Sequence, residues 1–429
     1  MSLFVEVPDS LIAVAPQIER CRVCGNPNLV DCLDMGPQYL SSIFPDDLSY
    51  RKKLLRYPLD MVLCEKKNSL QCGLVQLKHE LDLSGMYKEY PYTSGSNSSM
   101  KAILKDVADS GAAFDHLRSG DLVLDIGAND GTLLSNFQGR SLDLLGIDAA
   151  QNIQPVFQSP QFKLVRGFFS KGLYQKSVSK KAKLIFSIAM FYHLSNPVKF
   201  SQDVAEVMED EGVWIIQMAY LPAMLETNMY DNIVHEHNGY YGIQTMQWVM
   251  ERAGLEVFDC LLNEVYGGSF RLFVKKKGCS RFPETERLRK LIDAEKTKKI
   301  FDLVTYCEFE DRIQKTRRDL RKLLEKFKKE GKSVWVYGAS TKGNTILQYC
   351  EITREHAVAA ADANSFKLGK YMIGADIPVK DENEMRRVRP DYLLALPYSF
   401  VDGFIKREAA LVHLGTKFIV PLPEVKILP

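Results

Sequence analysis

The segment Asp125-Ile126-Gly127-Ala128-Asn129-Asp130-Gly131 restricts what this chain can fold into more than any other. Before it, Leu122, Val123 and Leu124 read as a buried parallel strand; after it, Thr132 to Phe137 read as the start of a helix. Gly127 lets the backbone turn sharply, and Gly131 lets a ligand approach without meeting a Cβ. About twenty residues on, a second apolar run, Leu144-Leu145-Gly146-Ile147, ends in Asp148, whose carboxylate can accept both hydroxyls of a ribose. The spacing is D-x-G-x-x-x-G and not the G-x-G-x-x-G of a dinucleotide site, and the phosphate-cradling third glycine is missing. An ordinary strand-to-helix turn shares this composition, so the loop by itself indicates an α/β fold and leaves its ligand open.

At 429 residues the chain is too long for one core, which implies two or three domains. An apolar content of 46% with 26% charge is ordinary for a globular protein, and a net charge of +2 gives no electrostatic reason to expect nucleic acid or an anionic membrane. No apolar run is long enough to span a bilayer. Residues 1–20 carry Glu6, Asp9 and Glu19 without a basic n-region, unlike a signal peptide. Cysteines in such a chain point to a reducing, cytoplasmic setting and to metal or core roles.

Three regions differ in texture. Residues 1–85 hold five of the nine cysteines, with short apolar runs and turn residues, as a small loop-rich module does. In residues 86–280, apolar strands at 122–124, 144–147, 184–188 and 213–218 alternate with helical stretches, which indicates βαβ units and a parallel sheet; 270–274 reads as a late antiparallel strand. Residues 281–429 open with one or two amphipathic helices over 283–331. A second α/β pattern follows, with strands at 334–337, 357–361, 392–396 and 418–420. Its first turn, Gly338-Ala339-Ser340-Thr341-Lys342-Gly343-Asn344, suits a diphosphate at a helix N-terminus. Its glycine interval matches a Walker A loop, but Asn344 stands where that motif requires lysine, and a plain helix cap by Ser340 or Thr341 is the simpler reading. Asp362, after the next strand, could bind a hydroxyl as Asp148 does.

Cys21-Arg22-Val23-Cys24-Gly25 has the shape of a zinc knuckle, and Cys64 and Cys72 supply a second pair about forty residues on. Four thiolates from two turns make a closed tetrahedral site, suited to structural Zn2+ and without an open position for catalysis. The second pair is more widely spaced than a knuckle, so Cys32 could replace Cys64, and some of these cysteines could simply be buried small hydrophobes. No thioredoxin-like βαβ pattern follows the C-x-x-C.

Of seven histidines, His193 follows the strand at 184–188, at the carboxyl end of the sheet where α/β ligands bind. His235 and His237 flank Glu236, and an i, i+2 pair puts both rings on one side of an extended segment. A metal site there is weakly supported, since no third ligand is close and H-E-x-x-H is absent. Hydrogen-bonded structural histidines are the default for either ring alone. Clustering with a carboxylate and with Tyr220, Tyr230, Tyr240 and Tyr241 favours a base with supporting donors.

Together these features resemble the nucleotide-sugar C-methyltransferases of deoxysugar biosynthesis, which methylate carbon 3 of a 4-keto sugar carried on a nucleoside diphosphate. The resemblance runs in order through Cys21-x-x-Cys24, Cys72-Gly73-Leu74-Val75-Gln76-Leu77, Tyr90-Pro91-Tyr92-Thr93-Ser94-Gly95, Asp125-x-Gly127-x-x-x-Gly131, His193, and Asp231-Asn232-Ile233-x-His235-Glu236-His237. The Gly338 to Asn344 turn and Ile377-Pro378-Val379 complete it. It implies an α/β chain of three parts: a zinc-binding module at 1–85, a class I (Rossmann-type) methyltransferase domain at 86–280, and a helical linker with a second Rossmann-like, nucleotide-sugar-binding domain at 281–429. It assigns S-adenosylmethionine to Asp125, Gly127, Asn129, Gly131 and Asp148, and structural Zn2+ to Cys21, Cys24, Cys64 and Cys72. By the same resemblance His237 is the base, Glu236 places its ring or the sugar, and His193 and Tyr92 donate to the developing enolate oxygen. His235, Tyr240, Tyr241, Ser340, Thr341, Lys342 and Asn344 would contact the substrate, with Lys342 on phosphate. One departure is Val234, where members often have a tyrosine that holds the substrate. The expected partner is a nucleoside-diphosphate 4-keto sugar, with no nucleic acid or membrane, and the expected state is a monomer. Rival readings are methyl transfer to sugar oxygen or nitrogen, an NAD-dependent enzyme, and a non-enzymatic zinc and nucleotide-binding scaffold.

Overall fold

The computed structural model describes residues 12–88, 90, 92–114 and 117–429. The leader-like properties weighed over residues 1–20 fall partly, and Pro91 of the tyrosine motif falls wholly, outside the described residues. Strands β1 (Leu29–Asp34), β2 (Asp60–Cys64) and β3 (Val75–Leu77) form an antiparallel meander. The central unit adds β4 (Leu122–Ile126), β5 (Asp143–Asp148), β6 (Phe162–Arg166), β7 (Ala182–Ile188) and β8 (Met208–Ala219). A two-residue strand β9 (Gly239–Tyr240) pairs back onto β3, so the meander has the order β1-β2-β3-β9. Strands β10 (Leu255–Asn263) and β11 (Ser269–Lys276) complete a seven-stranded central sheet of order β10-β11-β8-β7-β4-β5-β6.

The central sheet is parallel from β8 to β6, and β11 lies antiparallel between β8 and the edge strand β10. Leu122, Val123, Leu124, Leu184, Ile185 and Phe186 are all buried, as unbroken apolar strands covered on both faces must be. Strand order reverses between β4 and β7, which opens a crevice at their carboxyl ends. The glycine loop after β4, Asp148 at the end of β5 and His193 beyond β7 converge there.

The helix expected from Thr132 is not formed: Leu134–Phe137 is a single 3-10 turn. Ser135 Oγ takes the Thr132 carbonyl at 2.7 Å, and Asn136 Nδ2 takes the Thr132 and Leu133 carbonyls, both at 3.0 Å. Side chains thus occupy acceptors that a helical backbone would need.

The amphipathic stretch forms two helices, Glu286–Thr297 and Leu303–Lys329. Beyond it, β12 (Val334–Tyr337), β13 (Ala359–Asp362), β14 (Tyr371–Met372), β15 (Ile377–Asp381), β16 (Tyr392–Ala395), β17 (Lys417–Val420) and β18 (Lys426–Leu428) form a second seven-stranded sheet, parallel except at its two ends. One apolar core runs from the meander through the 221–240 segment and the long helix into this sheet. Among the described residues no helix is long and apolar enough to cross a membrane.

Candidate active site

The loop after β4 is shaped by left-handed residues: φ is +81° at Gly127, +52° at Asn129 and +82° at Gly131. Asp148 draws it in, accepting the Asn129 backbone N–H on Oδ2 and the Ala150 N–H on Oδ1, each at 2.7 Å. Each carboxylate oxygen keeps a lone pair for a further donor. Asn129 in turn ties a strap across the crevice: its Oδ1 accepts the Ser94 N–H at 2.9 Å and its Nδ2 donates to the Tyr92 carbonyl at 3.1 Å. Asp130 Oδ2 accepts the next amide, Gly95 N–H, at 2.7 Å. Two cavities of about 460 and 160 Å³ adjoin here, sharing Tyr87, Gly127, Asp148, Met190 and His193 in their walls. Asp125 and Asn129 line the smaller. Gly131 does not face a ligand: a Cβ there would meet Phe162 Cζ at 2.9 Å, so its missing side chain accommodates the stacked Phe157 and Phe162 rings. Burial pushes Asp125 up to about 8, with Asp148 and Asp130 adding to the shift, and burial raises Asp148 as well. Burial and the mutual repulsion of these carboxylates favour a bound cation, and S-adenosylmethionine would supply a sulfonium and an ammonium; Asp125, Asn129 and Asp148 fit that cofactor.

The His-Glu-His segment is a tight turn, closed by the His237 N–H to the Val234 carbonyl at 3.0 Å, and not an extended strand. The two rings therefore part. His235 points into the N-terminal meander, its Nε2 donating to the Tyr57 carbonyl at 3.2 Å, away from both cavities. His237 Nδ1 lies 2.7 Å from the Asn232 carbonyl, and His193 Nδ1 lies 2.8 Å from the Glu236 carbonyl. A carbonyl can only accept, so in each neutral ring Nδ1 carries the proton and Nε2 has a bare lone pair. Burial holds both rings neutral, His193 down to about 4 and His237 well below its ordinary value, where His193 and the Lys342 ammonium add to the effect. The ring centres stand 5.2 Å apart, with Tyr192 4.6 Å from His193 and 4.1 Å from His237. His193 lines both cavities and Glu236 the larger one, while His237 lines a small void behind them. Glu236 Oε1 and the Tyr92 hydroxyl are buried without hydrogen-bond partners among the described residues. Burial raises the Glu236 carboxyl and pushes the Tyr92 phenol up to about 12.

The other expected tyrosines are elsewhere. Tyr240 and Tyr241 wall the void behind His237, Tyr220 donates to Glu295 Oε2 at 2.8 Å, and Tyr230 lies 3.2 Å from Cys350 Sγ. The cavity walls carry the expected Tyr92, joined by Tyr87, Tyr90 and Tyr266. Their signal in the sequence was that Tyr90 opens the motif containing Tyr92, that Tyr87 lies three residues before that motif, and that Tyr266 precedes a glycine pair.

The second α/β unit reaches toward the site with Lys342 and Tyr398. Ser340 caps the helix Thr341–Tyr349, its Oγ accepting the Gly343 N–H at 3.0 Å. Asn344 is buried and donates to the Ser41 carbonyl at 2.7 Å, facing the meander. Asp362 is engaged within its own unit, Oδ2 accepting the Ala339 N–H at 2.9 Å and Lys367 Nζ at 3.1 Å and Oδ1 accepting the Asn364 N–H at 2.8 Å. Lys342 has no ion-pair partner among the described residues; its Nζ stands 5.6 Å from the Tyr266 ring centre, in the field of Asp231 and His237. Asp231 accepts the Tyr398 hydroxyl at 2.9 Å.

Cys21, Cys24, Cys64 and Cys72 bring their sulfurs within 4.8 Å of one another. Asn26 Nδ2 donates to Cys64 Sγ at 3.4 Å. This closed four-sulfur set fits zinc. Cys32 is buried apart, in the core beneath β1, so Cys64 is the fourth donor.

Three family models match in order: "Putative zinc binding domain" over residues 21–87, "Methyltransferase domain" over 100–259, and "C-methyltransferase C-terminal domain" over 264–423. C-methyltransferase NovU of Streptomyces niveus is 26% identical over 413 residues, spanning 96% of this chain and 97% of that protein. Among solved structures, an S-adenosylmethionine-dependent methyltransferase from Clostridium acetobutylicum ATCC 824 overlays with a TM-score of 0.33 and 13% identity, over 42% of this chain and 92% of that one. CalO1, a methyltransferase in calicheamicin biosynthesis solved with S-adenosylhomocysteine, overlays at 0.31 and 13%, over 42% and 59%. With a zinc-binding module, a methyltransferase fold and a C-methyltransferase C-terminal domain in one polypeptide, the chain belongs to the S-adenosylmethionine-dependent C-methyltransferases.

Proposed function

We propose that this enzyme methylates carbon 3 of a 4-keto deoxysugar carried on a nucleoside diphosphate, by way of an enolate. The observation that carries this reading is the pair of neutral imidazoles with unprotonated Nε2 atoms, His193 in the walls of the cofactor crevice and His237 just behind it. Carbon is a poor nucleophile until a proton is removed, and a neighbouring ketone makes that proton acidic enough for an imidazole. An oxygen or nitrogen acceptor needs no such enolate, and the curated relative is named a C-methyltransferase.

S-adenosylmethionine, when bound, supplies a methyl group already activated by positive charge. Asp148 would hold its ribose, Asp125 and Asn129 its amino-acid end, and the Tyr92 to Gly95 strap would keep water out. His237 Nε2 takes the carbon-bound proton, while the Asn232 carbonyl steadies the imidazolium through Nδ1–H. Glu236, which lines the larger cavity and whose Oε1 has no hydrogen-bond partner among the described residues, positions a sugar hydroxyl. Tyr92 donates to the enolate oxygen, the electrostatic term that matters most in such steps. His193 cannot share that task while neutral, because its only proton is committed to Glu236. The Lys342 ammonium adds positive potential where negative charge develops, whether on the enolate or on phosphate.

One observation favours a second assignment of the base: His193, not His237, lines both cavities. Incubation with 4-keto nucleotide sugars in deuterated water, without methyl donor, separates the two. Loss of carbon-3 exchange in His237→Ala but not His193→Ala supports His237, and the reverse supports His193. Methylated product carrying its new carbon at position 3 by NMR supports the substrate reading, and a methyl ether overturns it. A reducing, cytoplasmic setting is part of the same proposal and suits the four clustered thiols.

A further inference from the structure

Resting on the enolate reading above, we propose that Tyr192 is a further catalytic residue, whose phenol donates a hydrogen bond to the enolate oxygen beside Tyr92. Three observations converge on it. Both imidazoles have spent their single proton on main-chain carbonyls, so neither neutral ring can stabilise an oxyanion as a donor. Tyr192 is packed against both rings, 4.6 Å from His193 and 4.1 Å from His237, which fixes its plane at the point where the base must act. It lines the small void beside His237, behind the two cavities, and its hydroxyl makes no hydrogen bond among the described residues; Tyr266, Tyr90, Tyr87 and Glu236, which line those cavities, add to the electrostatic field on it. Val234, only 3% exposed and apolar, contributes no donor from the His-Glu-His turn itself.

The chemistry balances without a further reagent. The carbon–hydrogen bond breaks, its proton goes to the base nitrogen, and the electron pair moves onto the ketone oxygen. That oxygen then accepts from Tyr192 and Tyr92, and both donors keep their protons. When the carbon–methyl bond forms and the sulfur–methyl bond breaks, the ketone returns and the two hydrogen bonds weaken.

The test is Tyr192→Phe, which keeps the packed ring and removes only the hydroxyl. The expected result is a kcat about 100-fold lower. Carbon-3 proton exchange in deuterated water should fall by the same factor. The KM and the affinity for S-adenosylhomocysteine by calorimetry should stay within about threefold of wild type. Tyr192→Leu, which also removes the ring packed against the imidazoles, should be lower again. A Tyr192→Phe enzyme with near-wild-type kcat overturns the assignment, and an inactive Tyr192→Leu beside it would reduce Tyr192 to ring packing. If the wild-type enzyme exchanges no proton on any 4-keto sugar, the enolate reading falls and Tyr192 falls with it. Normal wild-type exchange with an unimpaired Tyr192→Phe overturns Tyr192 alone.

Discussion

Asn232 and Glu236 lend their carbonyls to two imidazoles, and those carbonyls decide which nitrogen of each ring stays bare. His237→Ala should abolish turnover while calorimetry shows S-adenosylhomocysteine binding unchanged; near-normal turnover would remove it as the base. Its basicity is depressed by burial, by His193 and by the Lys342 charge, and only the neutral ring can accept a proton. The acid limb of kcat/KM should therefore lie below pH 6.5, with activity rising as pH rises through it. Lys342→Gln removes a positive neighbour and should move that limb up by about one pH unit. Asp125 tests the opposite sign. Its folded-state pKa, about 8, lies above the ordinary carboxylate value, so its contribution to stability is greatest in acid and is lost as pH rises toward 8. In thermal melts of the apo protein, Asp125→Asn should gain over wild type steadily from about pH 4 to pH 8, while losing affinity for the cofactor.

The crevice is assembled from segment ends. The strap at 92–95 holds its place through amides bonded to Asn129 and Asp130, and Asn129 itself sits at φ +52°, a region asparagine tolerates better than most residues. Asn129→Ala removes both side-chain bonds to the strap and adds backbone strain. With each bond contributing about 1 kcal/mol, S-adenosylhomocysteine should bind about tenfold weaker or worse, with little change in melting temperature. The same loop shows why a strand–glycine–helix pattern can mislead: Ser135 and Asn136 divert the carbonyls that would have continued the helix.

Across the whole molecule, the zinc module acts as a clamp on the site. Its sheet is finished by β9, two residues beyond His237, and Leu77 N–H donates to the Asn238 carbonyl at 3.1 Å. The Ser41 carbonyl receives Asn344 of the second α/β unit, and Arg51 pairs with Asp376 at 2.8 Å. The Cys72 carbonyl also accepts from Thr245 in the helix Ile243–Arg252. Metal removal, by chelation or by Cys64→Ser, should lower zinc content by elemental analysis and abolish turnover. Binding of S-adenosylhomocysteine should decline less, since its pocket is built mainly from the central sheet. Full zinc content and full activity in Cys64→Ser would refute the clamp.

Local order was legible in the sequence. Apolar runs such as Val123-Leu124 and Ile185-Phe186 need cover on both faces, so they announced a parallel sheet, and the Asp125 to Gly131 loop with Asp148 announced a site at its carboxyl edge. The spacing of Cys21 and Cys24 announced a knuckle. Tertiary structure alone chose Cys64 over Cys32, sent His235 and His237 to opposite sides of a turn, put Gly131 under two phenylalanines, and brought Lys342 in from the far unit. It also replaced Tyr240 and Tyr241 at the cavity walls with Tyr87, Tyr90 and Tyr266. Periodicity and spacing register only which residues share a face of one element. Which faces then meet depends on strand order, on turn closure and on contacts between residues hundreds of positions apart, and no single stretch of chain carries that information.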